Sequence, residues 1–259
     1  MVQRITISSQ QYQENRLILQ PEQIHYLLRV LRLSAGDRFI AQDGTGQQWL
    51  AALSEKPAQA DIIEAIAPPP NPSAPLRLVA ALPKGNSFDQ VVRQATELGV
   101  THIYPVLTER TLLKPSDNKL TRWRRIAQEA SEQSERITVP DIFTPMAFPH
   151  YLQQDSESGL PHQPKGLRYL CAARNNGSLS NPEAKLPHLL SQLMAELASA
   201  DSPSVTLAIG PEGGWTPNEI TVASRYHYKV VTLGSVILRA VTAPITALSL
   251  VTAARELLI

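Results

Sequence analysis

The chain has 259 residues, of which 43% are hydrophobic and 18% are charged, so it is long enough to form two domains with buried cores. Its formal net charge of +1 excludes the overall basic excess of many nucleic-acid-binding proteins, although a local basic patch stays compatible with it. No run approaches the roughly 18 apolar residues of a membrane span, and the first residues lack an apolar leader, so we expect a cytoplasmic protein without a membrane partner.

Residues 1–70 show the pattern of a small β-rich domain. Strand-length apolar clusters occur as ITIS, LIL, RFIAQD and WLAALSE, and turns are predicted at residues 35–37 and 43–46. One helix over residues 21–31 is predicted to interrupt the strands, because its apolar residues recur at three- and four-residue spacing. The stretch PPPNPSAP follows at residues 68–75, and its five prolines predict an extended linker.

Beyond the linker, apolar runs of strand length alternate with segments of helical period, which indicates an α/β domain with a mostly parallel sheet over residues 76–259. The predicted strands cover residues 76–82, 102–107, 168–173, 204–209 and 229–233. Helices are predicted over residues 87–98, 121–134 and 241–259. Residues 140–165 are rich in Pro, Ser and Gln, and we expect them to form an irregular surface excursion.

The stretch IGPEGGWTPNEI, residues 209–220, joins a predicted strand to a predicted helix. Thr216, Pro217 and Glu219 have the spacing of a helix-capping box with proline in the first turn. The three glycines before them permit positive φ angles and the close approach of another molecule. A second glycine-bearing loop, LGSVILRAVTAP at residues 233–244, follows the next strand. We therefore expect both loops at one sheet edge, where open α/β sheets bind ligands.

Several common chemistries lack their sequence motifs. The chain contains neither G-x-G-x-x-G after a first strand nor G-x-x-x-x-G-K-[ST], and it has no G-x-S-x-G. Its six histidines show no H-E-x-x-H spacing, and Cys171 is the only cysteine, so we predict no metal and no disulfide. The apolar, strand-like setting of Cys171 predicts a buried, unreactive thiol.

The two loops resemble the paired cofactor loops of SPOUT-superfamily RNA methyltransferases, and most closely those of the RsmE-type 16S ribosomal RNA (uridine-N3) methyltransferases. Similar blocks follow in order as HYLLRVLRLSAGDRF, ALPKGNSFDQVVRQATELGVTHIYPVLTERT and RWRRIAQEASEQSERITVPDI. The resemblance implies a PUA-like β-barrel over residues 1–70 and an α/β domain with a deep trefoil knot over residues 76–259. It also implies S-adenosyl-L-methionine as cofactor, small-subunit ribosomal RNA or the 30S subunit as partner, and a homodimer.

The resemblance implies a set of loop residues whose backbone groups and apolar side chains enclose the cofactor. By position these are Ala172, Ile209, Gly210, Gly213, Gly214, Leu233, Gly234, Ile237, Leu238 and Ala243. Arg239 is the candidate catalytic residue, because a guanidinium near the uracil carbonyls stabilises the anion that forms as N3 loses its proton. The alternative for Arg239 is a surface ion pair. Thr242, the second catalytic candidate, either bonds the substrate or caps the last helix.

One position departs from the family pattern. The family loop usually has Leu-Arg-x-Glu-Thr-Ala, whereas this chain has Val241 in place of the glutamate. We expect impaired turnover unless Glu212, or another acid such as Glu132, substitutes for the missing carboxylate. The alternatives to an active methyltransferase are a binding protein of the same fold that has lost catalysis, and an unrelated nucleotide-binding α/β enzyme.

Basic side chains in the family-like blocks are candidates for phosphate contacts with RNA. They are Arg29, Arg32, Lys84, Arg110, Arg122, Arg124 and Arg125. Lys114 and Lys119 lie just upstream of the cluster formed by the last three arginines. The alternative is a solvated helix face with no RNA-binding role.

Overall fold

A computed structural model describes residues 3–68, 74–111, 115–157, 166–173, 185–198 and 203–258 of the chain. Two compact units divide the chain: Met1–Pro72 with Gln128–Val139, and Ser73–Ala127 with Pro140–Ile259. The predicted linker over residues 68–75 lies mostly outside the described residues.

The described residues of the first unit contain six strands, which form one sheet. They are β1 (Arg4–Thr6), β2 (Tyr12–Gln13), β3 (Arg16–Ile18), β4 (Arg38–Gln42), β5 (Gln48–Leu53) and β6 (Gln59–Ile66). Their order is β1-β4-β5-β6-β3-β2, and only the β1–β4 pair is parallel. Helix α1 (Pro21–His25) continues as a π-helical turn over Tyr26–Val30, so the predicted single helix changes its winding midway. Leu17, Leu27 and Phe39 lie fully buried in this unit's core.

The segment Gln128–Val139 belongs to the first unit, although the sequence pattern assigned it to the second domain. Glu132 accepts a hydrogen bond from the Thr6 backbone N–H at 2.7 Å. The guanidinium of Arg4 pairs with the Glu135 carboxylate at 3.0 Å. These contacts join residues more than 120 positions apart, so no local sequence pattern predicts them.

The second unit contains one sheet in which every described strand pair is parallel. Its strands are β7 (Leu76–Ala81), β8 (His102–Leu107), β9 (Asp141–Ile142), β10 (Met146–Ala147), β11 (Leu167–Cys171), β12 (Val205–Ile209) and β13 (Lys229–Val231). Their order is β10-β8-β7-β12-β11-β13, with β9 beside β8. Cys171 lies opposite both Ile209 and Val231, so β11, β12 and β13 end at the same level.

The described residues after β7 contain six helices. They are α2 (Ser87–Glu97), α3 (Asp117–Gln133), α4 (Phe148–Glu157), α5 (Leu189–Leu197), α6 (Pro217–Arg225) and α7 (Thr242–Leu258). Helix α2 buries one apolar stripe, including Phe88 and Val92, and is followed by Gly99 at a φ of +85°. This matches the predicted helix and its glycine stop. Within the described residues, no helix has the length and hydropathy to cross a membrane.

The prediction of an irregular excursion over residues 140–165 is wrong for the described residues 140–157. This part contains β9, β10 and α4, and α4 buries Phe148, Tyr151 and Leu152 in the core. The two strands have only two residues each, which is too short for an alternating pattern. Pro149 lies in the first turn of α4, where proline fits a helix. Residues 158–165 lie outside the described residues.

Candidate cofactor site

A cavity of about 630 Å³ opens at the carboxyl ends of β11, β12 and β13. Its walls come mainly from a first loop, residues 210–216 between β12 and α6, and a second loop, residues 232–241 between β13 and α7. Residues 171–173 at the end of β11 form its floor. The volume falls within the range of about 300–1,000 Å³ that is typical of small-molecule sites. Its position is that expected for ligands of open α/β sheets.

Trp215 fixes the first loop to the sheet. Its side chain is only 2% exposed, and its indole N–H donates to the Cys171 carbonyl oxygen at 3.1 Å. Its ring also packs against that of Phe148, with centroids 4.6 Å apart. The sequence analysis missed this anchor. The one sequence feature that could have predicted it is a large aromatic residue inside a glycine-rich turn.

The capping box predicted at the start of α6 is confirmed. The Thr216 hydroxyl accepts a hydrogen bond from the Glu219 backbone N–H at 3.2 Å, and Oε2 of Glu219 accepts one from the Thr216 N–H at 2.8 Å. The other carboxylate oxygen of Glu219 accepts a hydrogen bond from the Glu109 N–H at 3.0 Å. Glu219 is therefore a buried structural residue that ties α6 to the segment after β8.

The three glycines of the first loop differ in what a larger side chain would meet at each position. A Cβ on Gly210 would lie 3.1 Å from the Trp215 ring, and one on Gly213 would lie 3.1 Å from Cδ of Arg110. Gly214 has a φ of +69°, and a Cβ there would meet no described atom within 4 Å. The sequence pattern predicted glycine at these positions for positive φ angles and for the close approach of a ligand. Packing against the buried Trp215 ring is a sufficient reason at Gly210, whereas the exposed Arg110 side chain can shift away from a Cβ on residue 213.

The second loop leaves apolar side chains exposed. Val236 and Ile237 are 69% and 61% exposed, although both line the cavity. The loop bends at Gly234, whose φ is +144° and whose carbonyl accepts a hydrogen bond from the Thr232 hydroxyl at 2.9 Å. The Arg239 carbonyl accepts the N–H groups of residues 242 and 243, which begins α7. This loop is thus held mainly at its ends.

Charge in the cavity is confined to two of its described lining residues, Glu212 and Arg239. Oε1 of Glu212 accepts a hydrogen bond from the Lys84 backbone N–H at 2.9 Å. The exposed Arg239 guanidinium has no hydrogen bond or ion pair within the described part of the chain, so the alternative of a surface ion pair finds no partner there. Burial raises the pKa of the Cys171 thiol to about 12, which makes it a neutral wall atom rather than a nucleophile.

The cavity brings together every predicted cofactor residue except Gly234. Its lining includes Ala172, Ile209, Gly210, Gly213, Gly214, Leu233, Ile237, Leu238 and Ala243. Gly234 shapes the second loop without lining the cavity. Arg239 also lines it, whereas Thr242 does not; Thr242 is the first residue of α7, and its backbone N–H donates to the Arg239 carbonyl at 2.9 Å.

Two predicted RNA-contacting residues lie beside the first loop. The Lys84 backbone holds Glu212, and the Arg110 guanidinium donates to the Gly213 carbonyl at 2.6 Å. Both side chains are exposed.

The other predicted RNA contacts are more dispersed. Arg122 pairs with Asp89 at 2.8 Å, and Arg124 donates to the Ile142 carbonyl at 3.1 and 3.3 Å. Arg125 is exposed on the same helix, and Lys119 donates to the Gly85 carbonyl at 3.1 Å. Exposed Arg29 and Arg32 belong to the first unit, and Lys114 lies outside the described residues.

Comparison with known proteins assigns the chain to a family. A family model for an RNA methyltransferase domain matches residues 69–252, and one for an RNA methyltransferase PUA domain matches residues 19–63. A ribosomal RNA small subunit methyltransferase E from Synechocystis sp. is 40% identical over 257 residues, which is 99% of this chain and 79% of that protein. The chain belongs to this family. A relative of the same name from Bacillus subtilis is 30% identical and covers 92% of this chain and 90% of its own length.

Solved structures give the same fold. The ribosomal RNA small subunit methyltransferase E of Neisseria gonorrhoeae, bound to S-adenosyl methionine, has a TM-score of 0.75 and 25% identity over 99% of this chain and 98% of its own. A methyltransferase structure from Legionella pneumophila with the same bound cofactor has a TM-score of 0.76 and 26% identity over 98% of each chain. The family prediction and the prediction of an α/β methyltransferase domain with a PUA-like domain are therefore confirmed.

Proposed function

We propose that this chain transfers the methyl group of S-adenosylmethionine to N3 of a uridine in 16S ribosomal RNA. The observation that carries the proposal is the cavity between the two glycine-bearing loops, in a chain of the ribosomal RNA small subunit methyltransferase E family. The relative from Neisseria gonorrhoeae was solved with S-adenosyl methionine bound, and it aligns with nearly the whole chain. The choice of a uridine and of its N3 atom follows from the family resemblance of the two loops.

The residues of the cavity fit an adenosine-containing cofactor. Ile209, Leu233 and Leu238 offer apolar surface to a purine ring, and Gly210 brings its backbone to the lining. The N–H of Gly214 instead donates to the Pro211 carbonyl at 2.8 Å and holds the turn. The cofactor supplies a methyl group already activated by a sulfonium, so the protein needs no covalent nucleophile. The neutral thiol of Cys171 agrees with that requirement.

Arg239 is proposed to stabilise the negative charge that develops on the uracil carbonyls when N3 loses its proton. Arg239 lines the cavity, and its exposed guanidinium has no competing partner among the described residues. We expect Arg239→Gln to lower kcat by about 10²–10³-fold, as for the loss of one preorganised oxyanion donor. An unchanged kcat would contradict the role. Thr242 stays a prediction, since it lies outside the cavity lining.

The RNA is proposed to approach the cavity along the exposed side chains of Lys84 and Arg110. Both residues contact the first loop, so phosphates bound there would hold a uridine near the cavity. The remaining candidates, Arg29, Arg32, Arg122, Arg124 and Arg125, would add phosphate contacts. Removing one phosphate contact should weaken RNA binding and reduce the salt dependence of log K by about one unit of slope, measured by filter binding at several salt concentrations.

A knotted second domain and a homodimer are also proposed. The knot follows from the family resemblance. The chain leaves β13 at the sheet edge, and α7 packs against α2, α5 and β12. The dimer is supported by the exposed apolar residues Val236, Ile237 and Leu257. Sedimentation equilibrium would test the dimer; a monomer at all concentrations would contradict it. A cytoplasmic location is also proposed, and a ribosomal substrate supports it.

The central experiment uses unmodified 30S subunits and isotope-labelled S-adenosylmethionine. Transfer of label to 16S RNA, with a new reverse-transcription stop at one uridine, is the expected result, because methylation of N3 blocks base pairing. Cofactor binding without transfer would instead support a catalytically inactive binding protein. In that case, turnover restored by Val241→Glu would identify Val241, which lines the cavity, as the cause.

A further inference from the structure

We infer that Glu212 is the catalytic residue that accepts the N3 proton of the substrate uridine, an inference that rests on the proposed function. Glu212 is the only described lining residue of the cavity with a carboxylate. Methylation of a protonated imide nitrogen requires a group that removes its proton, and a carboxylate at hydrogen-bond reach can do so.

The structure holds Glu212 in place without using all of its acceptor capacity. Oε1 accepts a hydrogen bond from the Lys84 backbone N–H at 2.9 Å. Within the described residues, Oε2 has no hydrogen bond and Glu212 forms no ion pair. The next residue, Gly213, is held through its carbonyl by the Arg110 guanidinium. An exposed carboxylate that is positioned by one hydrogen bond and keeps its second oxygen unused can accept a proton from a substrate in the cavity.

The carboxylates of Glu132 and Glu219 are engaged elsewhere. Glu132 belongs to the first unit, where Oε1 accepts hydrogen bonds from the Thr6 N–H at 2.7 Å and from the Gln128 side chain at 3.3 Å. Both oxygens of buried Glu219 accept backbone N–H groups at the start of α6 and after β8. Val241 lines the cavity but has no ionisable group. The geometry therefore leaves Glu212 as the available carboxylate.

The proposed step balances in atoms and charge. The N3–H bond of the uracil breaks, and its proton moves to Oε2 of Glu212. The electron pair left on N3 forms the bond to the methyl carbon as the bond between that carbon and the sulfonium sulfur breaks, and S-adenosylhomocysteine leaves. Arg239 offsets the transient negative charge on the uracil carbonyls. The proton then passes from Glu212 to water.

Glu212→Gln is a sharp test, because a glutamine oxygen still accepts the Lys84 N–H while the side chain no longer takes up a proton. We expect kcat to fall by about 10²-fold or more. The affinity for S-adenosylhomocysteine, measured by calorimetry, and the thermal midpoint should both match the wild type. The control is Glu109→Gln, which makes the same chemical change at an exposed glutamate outside the cavity lining, and it should keep wild-type turnover.

The pH dependence separates proton removal from a merely structural role. Without a protein acceptor, the reaction depends on N3 that has already ionised in solution, so the residual rate of Glu212→Gln should rise about tenfold per pH unit. The wild-type rate should rise less steeply. Equal turnover, an equal pH profile, or a loss of S-adenosylhomocysteine affinity or thermal stability in Glu212→Gln would overturn the inference. If the wild-type chain itself methylates no RNA, the failure lies in the proposed function instead.

Discussion

The two loops that enclose the cavity are built differently. The first loop is tied down along its length, by the indole of Trp215, by the Glu212 contact with Lys84 and by the Gly213 contact with Arg110. The second loop is held at its ends, by Thr232 and at the start of α7, while its middle leaves Val236 and Ile237 in solvent. One wall of the cavity is thus part of the folded core, and the other presents apolar surface that no described residue covers.

This difference indicates two sources of order. Burial of a large aromatic side chain stabilises the first loop during folding, independently of any ligand. Exposed apolar side chains stabilise the second loop only when a bound molecule or a second subunit removes them from water. Mutations in the first loop should therefore change mainly the free energy of unfolding. Mutations in the second loop should change mainly the affinity for the bound molecule.

The largest effect is expected for Trp215→Ala. Loss of this buried ring should lower the free energy of unfolding by about 3–5 kcal/mol, measured by urea denaturation. Trp215→Phe keeps an aromatic ring but removes the N–H bond to Cys171, so it should cost less. A change below about 1 kcal/mol for Trp215→Ala would show that the first loop is not part of the core.

Gly210→Ala should have an intermediate effect. Its Cβ would lie 3.1 Å from the Trp215 ring, and such overpacking costs about 1–3 kcal/mol of unfolding free energy. If the clash with the indole is the cause, the same substitution should cost less in a Trp215→Phe background, as a double-mutant cycle would show. Additive effects of the two changes would reject that cause.

Ile237→Ser should have the smallest effect on folding. Because Ile237 is largely exposed, its unfolding free energy should change by no more than about 0.5 kcal/mol. Affinity for S-adenosylhomocysteine should fall by about tenfold or more if binding buries this side chain. If Ile237→Ser destabilised the protein but left its affinity for S-adenosylhomocysteine unchanged, the second loop would contribute to folding rather than to binding.

The sequence predicted those features that depend on neighbouring residues. The capping box of Thr216 and Glu219 has both of its hydrogen bonds, and α2 ends before Gly99, because caps and helix periods are encoded within a few positions. The family resemblance also named nine of the described residues that line the cavity as cofactor residues, and Arg239 as catalytic.

Features that depend on distant contacts were missed. Helix α4 was hidden by its polar, proline-containing sequence and becomes evident only through its buried face on the sheet. The segment Gln128–Val139 joins the first unit through partners near the start of the chain. Gly210 looks like a ligand-access glycine until Trp215 is seen against it. Each of these features is explained by contacts that exist only in the folded chain.

Amide hydrogen exchange with and without saturating S-adenosylhomocysteine tests most directly whether the two loops enclose the cofactor. We expect the first loop to be protected already in the free protein, since its anchors belong to the core. Exchange in residues 232–241 should be fast in the free protein and slow by at least about tenfold on binding. Unchanged exchange across residues 232–241 in the saturated protein would contradict a cofactor site between these loops.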